Sequence, residues 1–295
     1  MHIGILTARS PMYHPNRRLI EAGSRLGQRV TPIHPKNCLS GLGSGEFRLG
    51  APFSKNQPEV LLPRIGATIN DYALTLVRHF ELSGSRVFNG FQSILLTRNK
   101  FLALQTLANQ GIPVPGSHFV SNITNFKRVV EKLGGYPVVA KTPKGRQGKG
   151  VILVESSLTA KFIMDNMPVR DQGLLVQEFI SPPGREDIRA FVLGDKVIGA
   201  MALKPKAGDF RSNVHQKSSA KGITLNKKLT ELAIESSRAL GLEISGTDII
   251  VDSNGTPRVI EVNYSPGFRG FEATTGLDIA TAIIRYVTQT GGGAA

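Results

Sequence analysis

Two apolar segments near the C-terminus, joined by a short turn, restrict how this part of the chain can fold. Residues 246–252 and 257–263 are rich in Ile and Val, and Asn254-Gly255 lies between them. β-Branched residues favour strands, and Asn-Gly between two apolar runs is a strong hairpin signal. The sequence therefore predicts two antiparallel strands in this region.

Polar side chains interrupt both predicted strands at a spacing of two, so they are expected to share one face of the sheet. Asp252 is expected to pair with Pro257 across the turn. This register places Asp248 opposite Glu261, with Asn263 on the same face. One interpretation is a strand face in water, the ordinary antiparallel pattern. The other is a metal site, because adjacent carboxylates repel unless a cation lies between them and hard oxygen ligands suit Mg²⁺ or Mn²⁺.

Length and composition describe a globular protein. A chain of 295 residues can form one large domain or two to three small ones, each with its own core. No run approaches the roughly 18 apolar residues that span a bilayer, so no membrane partner is expected. The single cysteine, Cys38, cannot form an internal disulfide, which fits a cytoplasmic location.

The chain is strongly basic, with 36 Lys and Arg residues, 22 Asp and Glu residues and a net charge of +14. Such a surface attracts polyanions, including nucleic acids, acidic membranes and acidic protein tails. The basic residues are spread along the chain, without zinc-finger spacing or an aromatic RNA-binding motif. Charge alone predicts an acidic partner and does not require a nucleic acid.

The first 95 residues alternate between strand and helix patterns, which is typical of a small parallel α/β sheet. Apolar runs predict the strands, and apolar residues at helical spacing predict the helices. The predicted elements cover residues 2–6, 16–26, 29–33, 59–64 and 71–82. Residues 41–45 are glycine-rich and are expected to form a connecting loop, because no strand leads into them.

A glycine- and lysine-rich loop, residues 142–150, joins two predicted strands at 137–141 and 151–154. Such a loop can fold its backbone N–H groups over phosphates while its cations neutralise them. It is not a P-loop, because Lys149 is followed by Gly150 and a strand, where that motif needs Ser or Thr and a helix. A basic hairpin tip without a ligand stays an open alternative.

These motifs occur in an order that resembles the ATP-grasp superfamily. The segments that carry the resemblance are Lys100, Lys141 with the loop after it, Gln177-Glu178-Phe179, Asp187-Ile188-Arg189, and Asp248 with Glu261-Val262-Asn263. The chain is most similar to the RimK family, on residues 63–67, 208–215 and 265–280. The resemblance covers nearly the whole chain.

The resemblance implies α/β and α+β structure, namely an ATP-grasp fold with an N-terminal parallel α/β (pre-ATP-grasp) domain. The implied domains are 1–95, a central ATP-grasp subdomain at 96–176 with the phosphate loop, and a C-terminal subdomain at 177–290 with the metal site. The implied activity is that of an ATP-dependent carboxylate–amine ligase. Such an enzyme makes an acylphosphate from a carboxylate, and an amine then displaces phosphate to give an amide.

The resemblance also assigns contacts to the phosphates of ATP. Lys100 and Lys141 are expected to balance charge on the α- and β-phosphates. The loop expected to close over the γ-phosphate contains Gly145, Gly148 and Gly150. Catalysis of this kind needs positioning and charge stabilisation and no covalent enzyme nucleophile.

Further roles implied by the resemblance concern the rest of the nucleotide. Glu178 and Phe179 are expected to meet the adenine through backbone hydrogen bonds, and Asp187 to accept from the ribose hydroxyls. Arg189, two residues beyond Asp187, has two open interpretations: a structural ion-pair partner or a contact to an acidic substrate.

The transferring group and the metals complete the implied site. Arg211 and Asn213 are expected to act in catalysis by orienting the phosphoryl group or the acyl oxygen, and Ser212 to join them in binding the nucleotide. Two divalent cations, Mg²⁺ or Mn²⁺, are expected to bridge the phosphates. Their expected ligands are Asp248, Glu261 and Asn263.

The leading hypothesis is that the chain adds glutamate to the C-terminus of an acidic ribosomal protein, as the RimK family implies. One alternative is a similar ligase acting on a carboxylate of a small molecule or a carrier protein. A second is a non-catalytic polyanion-binding protein on the same scaffold. The family also implies a homo-oligomer, namely a tetramer.

Overall fold

The computed structural model of this chain describes residues 1–43, 46–49, 56–66, 70–143, 150–167, 169–181, 184–204 and 219–291. These residues form three sheets of four or five strands and one two-stranded hairpin, with helices packed on them. The predicted combination of a parallel α/β unit with α+β units is confirmed.

The N-terminal unit is a parallel sheet in the order β2-β1-β5-β6. Its elements are β1 (His2–Leu6), α1 (His14–Arg25), β2 (Arg29–Ile33), β3 (Ser40–Gly43), β4 (Glu46–Leu49), β5 (Val60–Pro63), α2 (Asp71–Leu82), β6 (Arg86–Val87) and α3 (Phe91–Thr97). The strands β1 and β2 and the helix α2 have the predicted bounds. The loop predicted at 41–45 is wrong for its described residues, because β3 pairs with β4 in an antiparallel hairpin.

The central unit is an antiparallel sheet in the order β7-β10-β8-β9. Its elements are α4 (Lys100–Asn109), β7 (Ser117–Val120), α5 (Ile123–Lys132), β8 (Val138–Lys141), β9 (Val151–Val154), α6 (Ser157–Asn166), α7 (Val169–Gln172) and β10 (Leu174–Glu178). Helix α4 begins at Lys100, because the side-chain oxygen of Asn99 caps it by accepting from the backbone N–H of Phe101 at 3.0 Å.

The C-terminal unit is an antiparallel sheet in the order β13-β12-β11-β14-β15. Its elements are β11 (Glu186–Leu193), β12 (Lys196–Lys204), β13 (Ser219–Ile223), α8 (Lys227–Ala239), β14 (Ile244–Val251), β15 (Pro257–Asn263), α9 (Arg269–Thr275) and α10 (Ile279–Gly291). No helix in the described part of the chain combines the length and apolarity needed to cross a membrane.

A shared apolar core joins the N-terminal and C-terminal units. It contains Ile3 and Leu19 from the first unit, Phe191 from β11 and Ile283 from α10, each at most 1% exposed. Packing of this kind fixes the two units relative to each other, because interiors are close-packed and tolerate little sliding. The last strand of the C-terminal sheet therefore has a defined position beside the N-terminal unit.

A buried amide adds a polar connection between the same two units. The Asn89 side chain is 2% exposed. Its oxygen accepts from the backbone N–H groups of Glu243 (2.7 Å) and Ile244 (2.9 Å). Its nitrogen donates to the carbonyls of Ile244 and Tyr264, both at 2.7 Å. All four side-chain hydrogen-bonding positions of this amide are thus used across the interface.

We expect Asn89→Ala to destabilise the protein by about 2–4 kcal/mol, because it leaves several buried backbone groups without partners. The measurement is denaturant unfolding followed by circular dichroism. The matched control is Asn109→Ala, at an exposed helix end, which should change the unfolding free energy by less than about 0.5 kcal/mol. Equal stability of the two variants would contradict this role of Asn89.

Candidate active site

The hairpin of β14 and β15 brings the predicted metal ligands together by a register that differs from the expected one. Val251, rather than Asp252, lies opposite Pro257. A bulge beside Asp248 then shifts the pairing by one residue, so Asp248 does lie opposite Glu261. A bulge inserts one extra residue into one strand and re-aims the side chains beside it. The expected pairing of the two carboxylates is therefore found, although the register at the turn was wrong.

Each carboxylate of this pair binds a cationic side chain. Arg189 binds Asp248 through two hydrogen bonds, Nε to Oδ1 and Nη2 to Oδ2, both 2.6 Å. The Lys100 ammonium group donates to Oε1 of Glu261. Of the two interpretations of Arg189, the structure shows the ion pair. Repulsion between the carboxylates is thus offset by protein cations, so it does not by itself require a metal.

Burial and the cations act in opposite directions on the pKa values here. Burial raises the pKa of Asp248, although Arg189 opposes the shift. For Glu261, burial also acts upward, but Lys100, Lys141 and Arg189 outweigh it and lower the pKa. Glu261 is therefore an anion at neutral pH. Three cations surround two carboxylates, and this excess of positive charge suits an anionic ligand.

Lys141 is the third cation of the cluster and ends β8. Burial lowers the pKa of Lys141 to about 8; the negative charge of Glu261 opposes this shift, and the positive charge of Lys100 adds to it. No carboxylate within the described residues lies within ion-pair distance of its ammonium group. A partly buried lysine of this kind gains most from an anion placed beside it.

The described ends of the predicted phosphate loop are held close together. The backbone N–H of Thr142 donates to the carbonyl of Gly150 at 2.9 Å, and that of Lys100 to the carbonyl of Pro143 at 3.1 Å. Gly150 has a φ of +80°, and a Cβ there would lie 2.4 Å from Oγ1 of Thr142. A glycine is therefore required at this position. These contacts fix the base of the loop beside the start of α4.

The predicted nucleotide contacts lie where β10 ends and β11 begins. Oε1 of Glu178 lies 3.3 Å from Nε of Arg258. Phe179 follows directly and is partly buried. Asp187 is 5% exposed, and Arg185 binds both of its oxygens, at 2.8 and 3.0 Å. Both carboxylate oxygens of Asp187 thus accept hydrogen bonds from Arg185, and a contact from Asp187 to a ribose stays a prediction.

Arg185 is a residue that the sequence reasoning missed. Its Nη1 donates to the carbonyl of Ile180 at 2.6 Å, so it ties the segment after β10 to Asp187. The signal that could have found it is the spacing of two between Arg185 and Asp187, the same alternation that marked Asp187 and Arg189. Opposite charges two residues apart in extended backbone can pair directly.

Several predicted site residues lie outside the described part of the chain. They are Gly145 and Gly148 of the phosphate loop, together with Arg211, Ser212 and Asn213. Their expected contacts to the phosphates and the transferring group stay predictions. The described candidate site is therefore formed by Lys100, Lys141, Gly150, Glu178, Phe179, Asp187, Asp248, Glu261 and Asn263.

The chemistry of the clustered donors fits a hard divalent cation. Asp248 and Glu261 offer carboxylate oxygens, and the side-chain nitrogen of Asn263 donates to Oδ2 of Asp248 at 3.4 Å, which places the amide beside them. Oxygen ligands of this type are those that Mg²⁺ and Mn²⁺ prefer. No cluster of three His, Cys, Asp or Glu side chains suited to a metal occurs among the described residues. A metal here would therefore use two carboxylates, the amide and oxygens of the nucleotide or water.

The fold and this site together define an ATP-grasp ligase. One family model, described as "RimK PreATP-grasp domain", matches residues 1–94, and another, "RimK-like ATP-grasp domain", matches residues 97–287. The chain belongs to the RimK family. It is an ATP-dependent carboxylate–amine ligase.

Relatives agree with this assignment, and a solved structure has a similar fold. A protein named "Probable alpha-L-glutamate ligase" from Marinomonas sp. (strain MWYL1) is 37% identical over 98% of this chain and 96% of its own length. Another of the same name from Stutzerimonas stutzeri (strain A1501) is 36% identical over 99% of this chain and 97% of its own. The structure of the ATP-grasp ligase PsnB complexed with minimal precursor has a similar fold, with a TM-score of 0.77, 19% identity, and coverage of 97% of this chain and 98% of PsnB.

We predict that nucleotide binding by this protein takes up a proton above about pH 8. Lys141 loses its proton there in the free protein, because burial lowers its pKa to about 8. Phosphate beside Lys141 stabilises the ammonium form, so binding raises the pKa and affinity falls as pH rises through 8. The measurement is calorimetry of Mg·ADP binding at about pH 8.5 in buffers of different ionisation enthalpy.

The control for this experiment is Lys141→Arg, which stays cationic throughout this pH range. It should bind the nucleotide without proton uptake. Lys141→Ala should weaken binding by about 1.5–3 kcal/mol, as expected for a charged hydrogen bond. Unchanged affinity in a folded Lys141→Ala protein would place the phosphates elsewhere.

Proposed function

We propose that this chain adds glutamate to the C-terminal carboxylate of an acidic ribosomal protein. Relatives named "Probable alpha-L-glutamate ligase", similar over nearly the whole chain, support glutamate as the amine substrate. The net charge of +14 supports an acidic acceptor, because a basic surface steers and holds an anionic tail. The C-terminal carboxylate of the acceptor would take the γ-phosphoryl group, and the amine of glutamate would then displace phosphate.

The observation that carries the proposal is the group of three cations around Glu261. In this proposal Lys100 and Lys141 hold the phosphates of ATP. Arg189 holds Asp248 in place through its two hydrogen bonds. Anionic phosphates would share Lys100 with Glu261, so the excess positive charge is neutralised when ATP is bound.

The proposal includes one or two divalent cations, Mg²⁺ or Mn²⁺, held by Asp248, Glu261 and Asn263. Such a cation, when bound, would neutralise phosphate charge and orient the γ-phosphoryl group. Arg211, Ser212 and Asn213 would contact that group, and Gly145, Gly148 and Gly150 belong to the loop that would cover it. Glu178 and Phe179 would offer backbone groups to the adenine, and Asp187 would meet the ribose.

Two other acceptors, the location of the protein, its oligomeric state and its domain division are also open to test. The acceptor carboxylate could belong to a small molecule or a carrier protein instead of a ribosomal protein. A non-catalytic polyanion-binding role is not supported, since the chain belongs to a ligase family. The cytoplasmic location, the tetramer and the domain division at 1–95, 96–176 and 177–290 stay predictions.

The direct test is an incubation of the purified protein with ATP, Mg²⁺, L-glutamate and a synthetic acidic peptide. We expect ADP release and a peptide heavier by whole glutamyl residues in the mass spectrum. The matched control is the same peptide with a C-terminal amide, which offers no terminal carboxylate and should not be extended. Extension of the amidated peptide, or none of either peptide, would contradict the proposed acceptor.

We expect Glu261→Gln to lower Mg²⁺-supported ADP release by at least about 100-fold. Loss of a residue that contacts a metal ligand already costs about 10- to 100-fold, and this change removes the charge of a proposed ligand itself. The fold should persist, because Val259 and Val262 keep their packing in the core. The matched control is Glu186→Gln, an exposed residue of β11, which should retain wild-type metal dependence. ADP release is measured against Mg²⁺ and Mn²⁺ concentration. If the Glu261→Gln variant kept the wild-type metal dependence, Glu261 would be excluded as a metal ligand.

We expect the KM for the acidic peptide to rise as NaCl increases from about 0.05 to 0.5 M. The Debye length falls to a few ångströms over this range, so attraction to the basic surface is screened. A peptide with neutral side chains provides the control and should respond less. A KM for the acidic peptide that is independent of salt would favour a small-molecule acceptor.

A further inference from the structure

The strand order of the N-terminal sheet reverses at a position that the proposed ATP chemistry does not use. From β1 the chain passes to β2 on one side, and β5 lies on the other side of β1. The strand order therefore reverses between β1 and β5. In open parallel α/β sheets, ligands bind outside the carboxyl ends of the strands at such a reversal. In this chain that position lies at the carboxyl ends of β1 and β5, beside Leu6 and Pro63, and we refer to it as the crevice.

Arg64 lies in this crevice. It follows β5 directly, and its backbone N–H donates to the carbonyl of Leu6 at 2.8 Å, which holds it against the end of β1. Its Nη2 donates to the carbonyl of Pro266 at 2.7 Å, and its guanidinium lies 5.5 Å from the ring centre of Phe268. Two rigid contacts therefore orient the guanidinium plane.

The Arg64 guanidinium has no anionic partner among the described residues. Other partly buried arginines, such as Arg185 and Arg189, each bind a carboxylate, whereas the group found beside Arg64 is the phenol of Tyr13. Burial lowers the pKa of Arg64 to about 10, so it remains a cation at neutral pH. A partly buried cation without an anionic partner gains from an anion placed beside it.

The remaining donors of Arg64 are accessible. A guanidinium has five N–H donors, and Pro266 takes one of them. Among the described residues, Nε and Nη1 of Arg64 have no hydrogen-bond partner, and neither belongs to the buried side-chain atoms that lack one, so both reach solvent. A planar fork with free donors matches the two oxygens of a carboxylate.

The surroundings of the crevice favour an anion. Arg9 lies over the Tyr13 ring at 5.7 Å, and Arg269 begins α9 directly after Phe268. The nearby acid, Glu272, is already bound by Arg18 at 3.2 Å. The described charges that remain uncompensated here are therefore positive.

The crevice adjoins β15, the candidate metal strand, which carries Glu261 and Asn263. Tyr264 follows Asn263, and its hydroxyl donates to the carbonyl of Gly66 at 2.6 Å. Arg64 itself bonds to the carbonyl of Pro266, in the same segment. A ligand held by Arg64 would thus lie beside the end of β15, where the proposed acylphosphate would form.

We propose that Arg64 binds a carboxylate of the incoming glutamate in the crevice between β1 and β5. This inference rests on the proposed function, which supplies glutamate as the amine substrate. In the proposed function Lys100 and Lys141 of the central unit hold the phosphates of ATP, so Arg64 of the N-terminal unit is left for the other substrate. Arg64 holds the amine substrate so that its nitrogen faces the acyl carbon, which makes it a specificity-determining residue.

The test is the kinetics of Arg64→Gln with ATP, Mg²⁺, L-glutamate and the acidic peptide. We expect the KM for glutamate to rise by about 10- to 100-fold, as for loss of a charged hydrogen bond. The KM for ATP should change less than about twofold. The matched control is Arg29→Gln, an exposed arginine at the opposite, amino edge of the same sheet, which should leave both values unchanged.

Two amides of glutamate separate a substrate contact from a structural role. Glutamine lacks the γ-carboxylate and glutamate α-amide lacks the α-carboxylate. For the wild type, the amide of the contacted carboxylate should have a KM at least about 10-fold above that of glutamate. In Arg64→Gln this difference should disappear, because the group that discriminates is absent. A merely structural Arg64 would leave the difference intact.

If Arg64→Gln does not fold, Arg64→Lys replaces it in the test. Lysine keeps the positive charge but lacks the planar pair of N–H donors that a guanidinium offers. It should show an intermediate glutamate KM and part of the discrimination between the amides. A folded variant with unchanged glutamate KM and unchanged discrimination overturns the assignment of Arg64. A wild-type enzyme that rejects glutamate and accepts another amine overturns the proposed function instead, so the two failures are distinguishable.

Discussion

The two ion pairs at the end of the C-terminal hairpin are the interactions on which the candidate site depends. Lys100 belongs to α4 of the central unit and Glu261 to β15 of the C-terminal unit. Their contact therefore joins the two units, and we refer to the space around it as the cleft. Arg189 and Asp248 lie opposite each other on neighbouring strands of one sheet, so the backbone pairing of β11 and β14 holds this second ion pair in place. A partly buried carboxylate pair is tolerated only when cations compensate it. The same cations leave an excess of positive charge, which suits an anionic ligand.

Local patterns predicted much of the fold because they depend on neighbouring residues. The strands at 2–6 and 29–33 and the helix at 71–82 have the predicted bounds, since apolar periodicity and turn residues define them. The pairing of Asp248 with Glu261 was predicted from the hairpin, but the register at the turn was not. A bulge depends on how the sheet twists against its neighbours, which a single hairpin sequence does not determine.

The contacts that sequence reasoning missed are those between distant segments. Asn89 bonds to residues about 155 and 175 positions away, and Arg64 to a carbonyl about 202 positions away. A pattern of two or 3.6 residues carries no information about such partners. Lys141 was predicted as a phosphate ligand by resemblance, whereas its lowered pKa follows from burial in the assembled cleft.

The loop from Tyr264 to Phe268 links the two anion-attracting regions of the molecule. On one side, β15 presents Glu261 to the cations of the cleft. On the other, Pro266 and Phe268 orient the guanidinium of Arg64. The proposed reaction joins two anionic substrates, and each would need a separate cation while the reacting atoms stay within reach. A short connection from the candidate metal strand to the N-terminal crevice meets both requirements, because movement of either side is limited by the shared core around Phe268 and Phe271.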